Sequence, residues 1–255
     1  MRYEALLAGR AATCVPQHAR VCTLRHRYTR AGVLTGCASV TAPPHHPEEL
    51  TRMAKKDPSN IGFAVVGYGV IGAHHCRAIN EAAGAELVAI CDADATAARS
   101  GGEKWNVPWY TSLSELLANP DVDVVNVCVP TGLHAEVGIA AARAGKHVVC
   151  EKPLDVNLEK ADALIRACRE NGVKLAAIFQ RRLHPLSRRI KDTVDSGRLG
   201  RIVYADIHLY WYRTPEYYAG GRPPGWRGTW KYDGGGACMN QGIHSVDFIQ
   251  WIVGP

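Results

Sequence analysis

The sequence predicts an α/β protein in which a doubly wound parallel sheet comes first and an incomplete second domain follows. Between residues 58 and 180, short apolar runs alternate with helical segments, which is typical of parallel strands covered by helices. A second observation concerns the rest of the chain. Only one further strand is predicted there, over residues 202–211, and a single strand leaves its backbone groups unpaired.

The composition is that of an ordinary globular protein, with 47% hydrophobic and 21% charged residues among 255. No apolar run approaches the length of a membrane-spanning helix, so no membrane contact is expected. The net charge of +6 lies mostly at one end, because residues 1–52 hold seven Arg and three Glu, a balance of +4. The remaining +2 predicts no basic surface for nucleic acid on the folded part.

Residues 1–57 are predicted to be a disordered or non-native extension, since they show no strand or helix period and include a Pro/His stretch at 42–47. Three interpretations are open: an upstream start-site artefact, a targeting segment or a disordered arm. Arg-rich, acid-poor composition is typical of an organellar transit peptide. However, Ser39 is the only serine before residue 53, so an artefact or an arm is favoured, with Met53 as the native start.

The nine cysteines predict neither a disulfide framework nor a metal site. Their number is odd, none forms a Cys-x-x-Cys pair, and no His/Cys cluster has zinc spacing. The absence of a hydrophobic signal segment favours reduced thiols in a cytoplasmic protein. Cys91, Cys128 and Cys150 fall at the ends of predicted strands, where small buried core residues are the simplest interpretation.

The first predicted strand, residues 61–66, leads directly into a Gly-x-Gly-x-x-Gly loop and a helix over residues 70–83. Gly67 permits the tight turn, Gly69 leaves room for a pyrophosphate, and Gly72 lets the helix pack closely on the sheet. The helix N-terminus offers free N–H groups and a positive dipole end to phosphates. This is the pattern of a Rossmann-type dinucleotide site. The predicted cofactor contacts in this loop are Gly67, Gly69, Val70, Ile71 and Gly72.

An acidic residue lies where the adenosine ribose is expected. The second strand, residues 86–91, ends at Asp92, which follows Gly72 by the 20 residues typical of the ribose-binding acid. A carboxylate there accepts hydrogen bonds from the ribose hydroxyls and repels a 2′-phosphate. Asp94 adds a second negative charge, and no Lys or Arg follows before Arg99. NAD is therefore favoured over NADP.

The same alternation continues to residue 180, so residues 58–180 are predicted to form the NAD-binding domain. Further strands are predicted over residues 122–129, 147–150 and 173–179, and a further helix over residues 158–171. Ligands of such sheets bind at the carboxyl ends of the strands. The residues predicted to lie beside the nicotinamide for this reason are Thr131, His134, Glu151 and Lys152.

Several motifs in order resemble the Gfo/Idh/MocA oxidoreductase family over roughly residues 61–255. They are the segments 64–69, 145–153, 234–236 and 242–247. The resemblance implies a Rossmann domain followed by an α+β substrate domain with an open, mostly antiparallel sheet, here residues 181–255. It also implies nicotinamide-dependent oxidation or reduction at a hydroxyl or carbonyl carbon of a sugar, nucleotide sugar or polyol, and a homo-oligomer.

The resemblance assigns catalytic roles to individual residues. Lys152, in the Glu-Lys-Pro motif, would hold the reacting oxygen and stabilise alkoxide charge. His244 would be the general acid/base, since imidazole titrates near neutral pH. Many members have an aspartate four residues before this histidine, where Asn240 stands, on the same helix face by α-helical spacing. Asn orients a hydroxyl but takes no proton, so a mechanism that needs a carboxylate there is in doubt. Asp247 is an alternative partner to orient the imidazole.

The segment between the two motifs is rich in aromatic residues and Arg. These residue types suit sugar rings and anionic groups such as carboxylate or phosphate. An oligomer interface has the same composition, and the sequence does not decide between the two interpretations. The predicted substrate contacts are Arg182, Tyr212, Arg213, Tyr217, Trp226 and Arg227.

The chain ends at Pro255, where members of the family usually continue, and we therefore expect an incomplete second domain. Two hypotheses stay open on the sequence. Lys152 and His244 favour a working NAD-dependent dehydrogenase. The early end favours a truncated, non-catalytic NAD-binding protein with a binding or regulatory role.

Overall fold

The computed structural model describes residues 56–254, so the predictions for the N-terminal extension up to residue 55 lie outside the described residues. The strands are β1 (Ile61–Val66), β2 (Ala85–Cys91), β3 (Trp109–Tyr110), β4 (Val124–Val127), β5 (His147–Cys150) and β6 (Leu175–Ala177). The α-helices are α1 (Val70–Glu81), α2 (Ala95–Trp105), α3 (Leu113–Leu117), α4 (His134–Arg143), α5 (Leu158–Glu170), α6 (Pro185–Asp195), α7 (Pro215–Ala219) and α8 (Ile243–Val253).

The strands of the described region form a six-stranded sheet in the order β3-β2-β1-β4-β5-β6, and every pair is parallel. The strand order reverses between β1 and β4, where Val66 is paired with Val127. In doubly wound sheets the crevice at this reversal binds the ligand. The predicted α/β class is confirmed, and the helices predicted from residues 70 and 158 begin at those residues.

The core lies on both faces of the central strands. Phe63, Ala64, Val65 and Val66 are all buried, because β1 is covered by helices on either side. Cys91 and Cys150 are also buried as predicted, and burial raises the pKa of the Cys91 thiol to about 12. Cys128 is only partly buried. All the described cysteines are free thiols.

The region after β6 is built differently. It contains a 3-10 turn (Gln180–Leu183), α6, α7, a π-helical turn (Ala237–Gly242) and α8. The strand predicted over residues 202–211 does not form, and this prediction was wrong. An extended segment becomes a strand only when a neighbour pairs with its backbone, and the described residues supply none. Val203 in this segment is 83% exposed.

The open antiparallel sheet that the resemblance implied is likewise not formed by residues 181–254. Within the described part of the chain, no helix combines the length and the apolar composition that crossing a membrane would need.

Candidate functional site

The three glycines of the loop between β1 and α1 have three different geometries. Gly67 has a φ of +93°, and a Cβ there would come within 2.7 Å of the Cys128 backbone. A Cβ on Gly72 would lie 2.1 Å from the Gly67 carbonyl oxygen, because α1 packs tightly against the loop. A Cβ on Gly69 would meet no heavy atom within 4 Å apart from its chain neighbours. The turn, the close packing and the open space therefore lie where the sequence predicted them.

The first turn of α1 is open to a ligand. Gly69 precedes the helix and provides no side-chain cap for the first N–H groups. Val70 is 71% exposed and Ile71 is 46% exposed, so the predicted contact residues border the same open space. Uncapped N–H groups and the positive end of the helix dipole favour a phosphate here. This arrangement fits the pyrophosphate of a dinucleotide.

Asp92 follows β2 and is held by backbone donors. Its Oδ2 accepts from Tyr68 N at 2.7 Å and its Oδ1 from Asp94 N at 2.9 Å. Arg222 Nη2 lies 3.6 Å from the same carboxylate and donates to Tyr68 O at 2.5 Å. A carboxylate has about four acceptor positions, so Asp92 retains capacity for ribose hydroxyls. The Asp94 side chain instead caps α2 by accepting from Thr96 N.

A buried network lies behind the Glu-Lys-Pro motif. His75, on α1, donates from Nε2 to Glu151 Oε1 at 3.0 Å, and Asn126 Nδ2 donates to His75 Nδ1 at 2.8 Å. Glu151 Oε2 accepts from Lys152 N at 3.1 Å. Burial raises the pKa of Glu151, but His75 and Lys152 outweigh it, and the net direction is down. Sequence reasoning missed His75 and Asn126, because no motif marks a contact between α1 and the end of β5.

Lys152 is fixed by a residue far away in the sequence. Its Nζ donates to the main-chain oxygen of Asn240 at 2.7 Å, across 88 positions of the chain. Burial lowers the pKa of Lys152, while the negative charges of Glu151 and Asp233 act in the opposite direction. The structure therefore brings together Lys152 and Asn240, two of the predicted catalytic residues.

His244 lies in the first turn of α8 and is 8% exposed. The Phe179 ring approaches it edge-on with a centroid separation of 6.3 Å. Its Nδ1 is buried and has no hydrogen-bond partner among the described residues. Burial, followed by the positive charges of Lys152 and Arg181, lowers the pKa of His244 to about 4. The imidazole is therefore neutral at pH 7.

Asp247 does not orient the imidazole of His244, so that expectation was wrong. Both Asp247 oxygens accept from the Arg182 guanidinium, one of them from Nε at 2.9 Å. A bidentate Arg–carboxylate pair is strong, because two parallel charge-assisted hydrogen bonds form at once. Arg182 was predicted to bind substrate, and in the structure its guanidinium fastens α8 to the turn after β6.

Two residues predicted beside the cofactor lie in the interior instead. His134 is 1% exposed, with Nδ1 2.7 Å from Pro153 O and Nε2 2.9 Å from Val129 O. Burial lowers its pKa, although both carbonyls favour the charged ring. Both nitrogens are engaged, so the side chain holds two strand-end loops together and does not face the cofactor cleft. Thr131 is 5% exposed.

Asn240 lies in the π-helical turn, so the α-helical spacing that predicted a shared face with His244 does not apply across this junction. Its Nδ2 donates at 2.8 Å to Asp233, a carboxylate that sequence reasoning missed. Asp233 is 1% exposed and immediately precedes three glycines. The sequence shows an acidic residue next to a run of glycines, but it does not show that this residue is buried. We call Glu151, Lys152, Asp233, Asn240 and His244 the Lys152 cluster.

The predicted substrate residues are partly assembled around one ring. Tyr217 is contacted by the guanidinium of Arg227 at 4.6 Å and by that of Arg213 at 5.3 Å from its centroid. Trp226 lies 5.0 Å from the Arg227 guanidinium. Tyr212 is 79% exposed, and Arg213 donates to its main-chain oxygen. The structure thus groups four of the predicted substrate residues and leaves Tyr212 and Arg182 apart.

Comparison with family models identifies both parts of the chain. Residues 61–179 match the model described as "Oxidoreductase family, NAD-binding Rossmann fold" of GFO_IDH_MocA. Residues 187–255 match the model of the GFO/IDH/MocA C-terminal domain. The two matches follow one another in the order that the sequence motifs predicted.

Relatives agree with this assignment. An uncharacterized oxidoreductase, YrbE, of Bacillus subtilis is 32% identical over 76% of this chain and 54% of its own length. The myo-inositol 2-dehydrogenase of Thermotoga maritima is 38% identical over 75% of this chain and 54% of its own. The chain thus spans about half the length of these curated relatives.

A solved structure extends the comparison. The WlbA dehydrogenase from Bordetella pertussis, in complex with NADH and UDP-GlcNAcA, superposes with a TM-score of 0.71 at 38% identity. The match covers 77% of this chain and 60% of that one. Taken with the six-stranded parallel sheet and its glycine loop, these findings show that the chain belongs to the Gfo/Idh/MocA oxidoreductase family and contains its NAD-binding Rossmann fold.

Proposed function

We propose that the chain is an NAD-dependent oxidoreductase that acts on a hydroxyl or carbonyl carbon of a sugar, nucleotide sugar or polyol. The observation that carries the proposal is the hydrogen bond from Lys152 Nζ to Asn240 O, which joins the segment after β5 to the turn that leads into α8 and His244. The positive charge of Lys152 also helps to lower the pKa of His244. A half-buried ammonium and a neutral imidazole in one cluster suit the removal of a proton from an alcohol.

NAD, when bound, accepts or supplies the hydride of such a reaction. The open space at Gly69 and the uncapped start of α1 support a pyrophosphate position in the glycine loop. Asp92 supports a ribose position, since its carboxylate has acceptor capacity left after two backbone bonds. These residues would hold the pyrophosphate and the ribose of NAD at the edge of the sheet where the strands have their carboxyl ends.

The Lys152 cluster handles the proton. Lys152 donates one of its N–H groups to Asn240 O, and the other two are available to hold the substrate oxygen. This contact stabilises negative charge as the hydroxyl loses its proton. His244 is neutral above about pH 4, so an imidazole nitrogen can accept that proton. The low dielectric of the buried position strengthens both interactions.

The substrate class is proposed from the ring and guanidinium groups around Tyr217. Arg213 and Arg227 both contact this ring, and they suit an anionic sugar or a phosphate-linked one. Among the relatives, WlbA was crystallised with UDP-GlcNAcA and another is a myo-inositol 2-dehydrogenase. Both names support a polyhydroxy substrate for this chain.

The proposal is tested with the purified chain in two measurements. NADH binding is followed by fluorescence, and turnover is then assayed over a panel that includes myo-inositol, uronic acids and UDP-sugars. We expect NADH binding and reduction of NAD with at least one member of the panel. Binding without turnover would instead favour a non-catalytic NAD-binding protein. If neither NADH binding nor turnover is observed, the assignment of NAD as the cofactor is contradicted as well.

A second pair of measurements separates a substrate pocket from a homo-oligomer interface around Tyr217. Arg213→Ala and Arg227→Ala are each expected to raise KM for an anionic sugar by about tenfold, as for loss of one charge-assisted hydrogen bond. Sedimentation of the same variants provides the alternative readout. Unchanged KM with an altered sedimentation coefficient would move these residues to an interface.

A further inference from the structure

Asp233 is a buried carboxylate that the proposed chemistry has not used. It is 1% exposed and lies in the loop before the π-helical turn. Its Oδ1 accepts from Asn240 Nδ2 at 2.8 Å and its Oδ2 from Gly228 N at 2.7 Å. Burial raises its pKa, and these two donors, followed by the charges of Lys152 and Arg227, act in the opposite direction. A buried charge lowers the stability of the fold unless hydrogen bonds or an opposite charge compensate for its lost hydration.

The contacts of Asp233 join two parts of the site. Gly228 and its neighbour Arg227 belong to the segment with the predicted substrate residues. Asn240 belongs to the Lys152 cluster, and its main-chain oxygen receives Lys152 Nζ at 2.7 Å. Asp233 therefore holds Asn240 by its side chain while Lys152 holds the same residue by its main chain. Movement of Asp233 would displace the acceptor of the lysine.

We propose that Asp233 is a positioning residue that supplies the negative charge which position 240 lacks, fixing Asn240 and the ammonium of Lys152. Its importance for turnover rests on the proposed function, whereas its effect on Lys152 does not. Asn240 is uncharged, and its hydrogen bond to the Asp233 carboxylate gives the pair one negative charge.

The direction of the effect follows from the charges around the lysine. Burial lowers the pKa of Lys152, and the two carboxylates raise it. Replacing Asp233 with Asn removes one of these carboxylates, so the pKa of Lys152 falls further. If the ammonium holds the reacting oxygen, the alkaline limb of the rate profile then moves to lower pH. The other charged or titratable groups that act on this neighbourhood are Glu151, His244, Arg181, Arg227 and Asp247.

The pair can be exchanged with little change in shape. In Asp233→Asn alone, the new amide nitrogen faces Asn240 Nδ2, so two donors meet. In the double variant Asp233→Asn with Asn240→Asp, the amide at 233 accepts from Gly228 N and donates to the carboxylate at 240. Gln241 Nε2, now 3.2 Å from Asn240 Oδ1, keeps an acceptor. The swap preserves each hydrogen bond and returns one charge to the pair.

The control is Asp155→Asn. Asp155 is also buried and also accepts from backbone N–H groups, those of Ala135 and Val156. Its charge is not among those that shift the pKa of Lys152. Loss of this charge therefore tests what removing a buried carboxylate does to the fold, without the proposed effect on the lysine.

The primary readout is the titration of Lys152, followed by NMR on the ¹³C-dimethylated protein with the signal assigned from Lys152→Arg. We expect Asp233→Asn to lower the pKa of Lys152, the swap to restore it, and Asp155→Asn to leave it in place. An unchanged titration in a folded Asp233→Asn would overturn the proposal. If the single variant does not fold, the double variant is measured alone. A lowered pKa of Lys152 in the double variant contradicts the inference, and a wild-type pKa supports it.

Turnover is the secondary readout. Asp233→Asn is expected to lose about 10- to 100-fold in kcat, the scale of a charge-assisted hydrogen bond, and the swap to recover most of it. Asp155→Asn is expected to keep the wild-type kcat. If the wild-type chain turns over no substrate while the pKa of Lys152 changes as expected, the proposed function is contradicted. The positioning role of Asp233 is then still supported.

Discussion

The glycine loop and the Lys152 cluster are two functional regions that the chain builds in different ways. The loop is one continuous segment whose geometry is set by backbone conformation, as at Gly67 with its φ of +93°. The cluster joins the end of β5 to the loop and the helical turn before α8, through a hydrogen bond that spans 88 positions. The difference teaches that the cofactor loop is built locally here, whereas the proposed catalysis would depend on how the region after residue 180 docks on the sheet.

The largest expected effect tests the second half of this comparison. Lys152→Ala should reduce kcat/KM by about 10³-fold, because it removes the donor that holds charge on the reacting oxygen. NADH affinity, measured by fluorescence, should stay within about twofold, since the proposed pyrophosphate and ribose positions at Gly69 and Asp92 are unchanged. A larger loss would support the nicotinamide contact that the sequence predicted for Lys152. Lys191→Ala, which changes a half-buried lysine paired with Asp195 outside the Lys152 cluster, is the matched control. Equal losses of NADH binding and turnover would mean that the two regions are not separable.

The next effect tests the loop alone. Gly72→Ala should lower the free energy of unfolding by about 2–4 kcal/mol, since its Cβ would lie 2.1 Å from the Gly67 carbonyl oxygen. Gly69→Ala meets open space and should change stability by less than about 1 kcal/mol, while weakening NADH binding about tenfold. Urea unfolding and fluorescence titration measure both. Similar stability losses in the two variants would contradict the separate roles of these glycines.

A pH prediction concerns His244. Its pKa is lowered to about 4 from 6.5, so the unfolded state binds more protons between these values. The neutral ring stabilises the fold fully above about pH 6.5, and this contribution is lost as the pH falls toward 4. Between pH 7 and pH 4.5, wild type should therefore lose more thermal stability than His244→Gln, whose side chain does not titrate. The acid limb of kcat/KM should lie near pH 4, and a limb near 6.5 would show that the site does not desolvate the ring.

The smallest effect concerns the pair that fastens α8. Asp247→Asn should cost about 1 kcal/mol, while Arg182→Ala should cost about 2–3 kcal/mol, because the buried carboxylate then loses its partner. Denaturant midpoints at pH 7 give both values. KM for a sugar substrate is the deciding measurement, since a higher KM in Arg182→Ala alone would return this residue to the substrate role that the sequence suggested.

What the sequence could predict follows from the same comparison. Strand β1 and the start of α1 are readable because the apolar run and the glycines that follow it lie within one short segment. His134 was placed near the cofactor because it follows a strand, but position at a strand end does not tell which side chains turn inward. Its engagement with Pro153 O appears only when β4 and β5 are side by side.

Side-chain pairs formed between separate segments could not be predicted for a different reason. Asp233 and Asn240 are seven residues apart, yet their hydrogen bond requires the loop to fold back through consecutive glycines. The Arg182–Asp247 pair spans 65 positions and no pattern links them. The strand predicted over residues 202–211 does not form, because a segment with strand propensity needs a neighbouring strand to pair with. Sequence reasoning thus identifies the residue types of the site before it can pair them.

The hydrogen bond from Lys152 Nζ to Asn240 O has one more consequence. An ammonium group has three N–H bonds, and in a free lysine they rotate together about the Cε–Nζ bond. When one N–H donates to a main-chain oxygen, the directions of the other two are set before any substrate binds. The side chain has therefore already lost much of its rotational entropy on folding. A substrate oxygen meets a donor that needs no further ordering, which favours a fixed approach to one face of the reacting carbon.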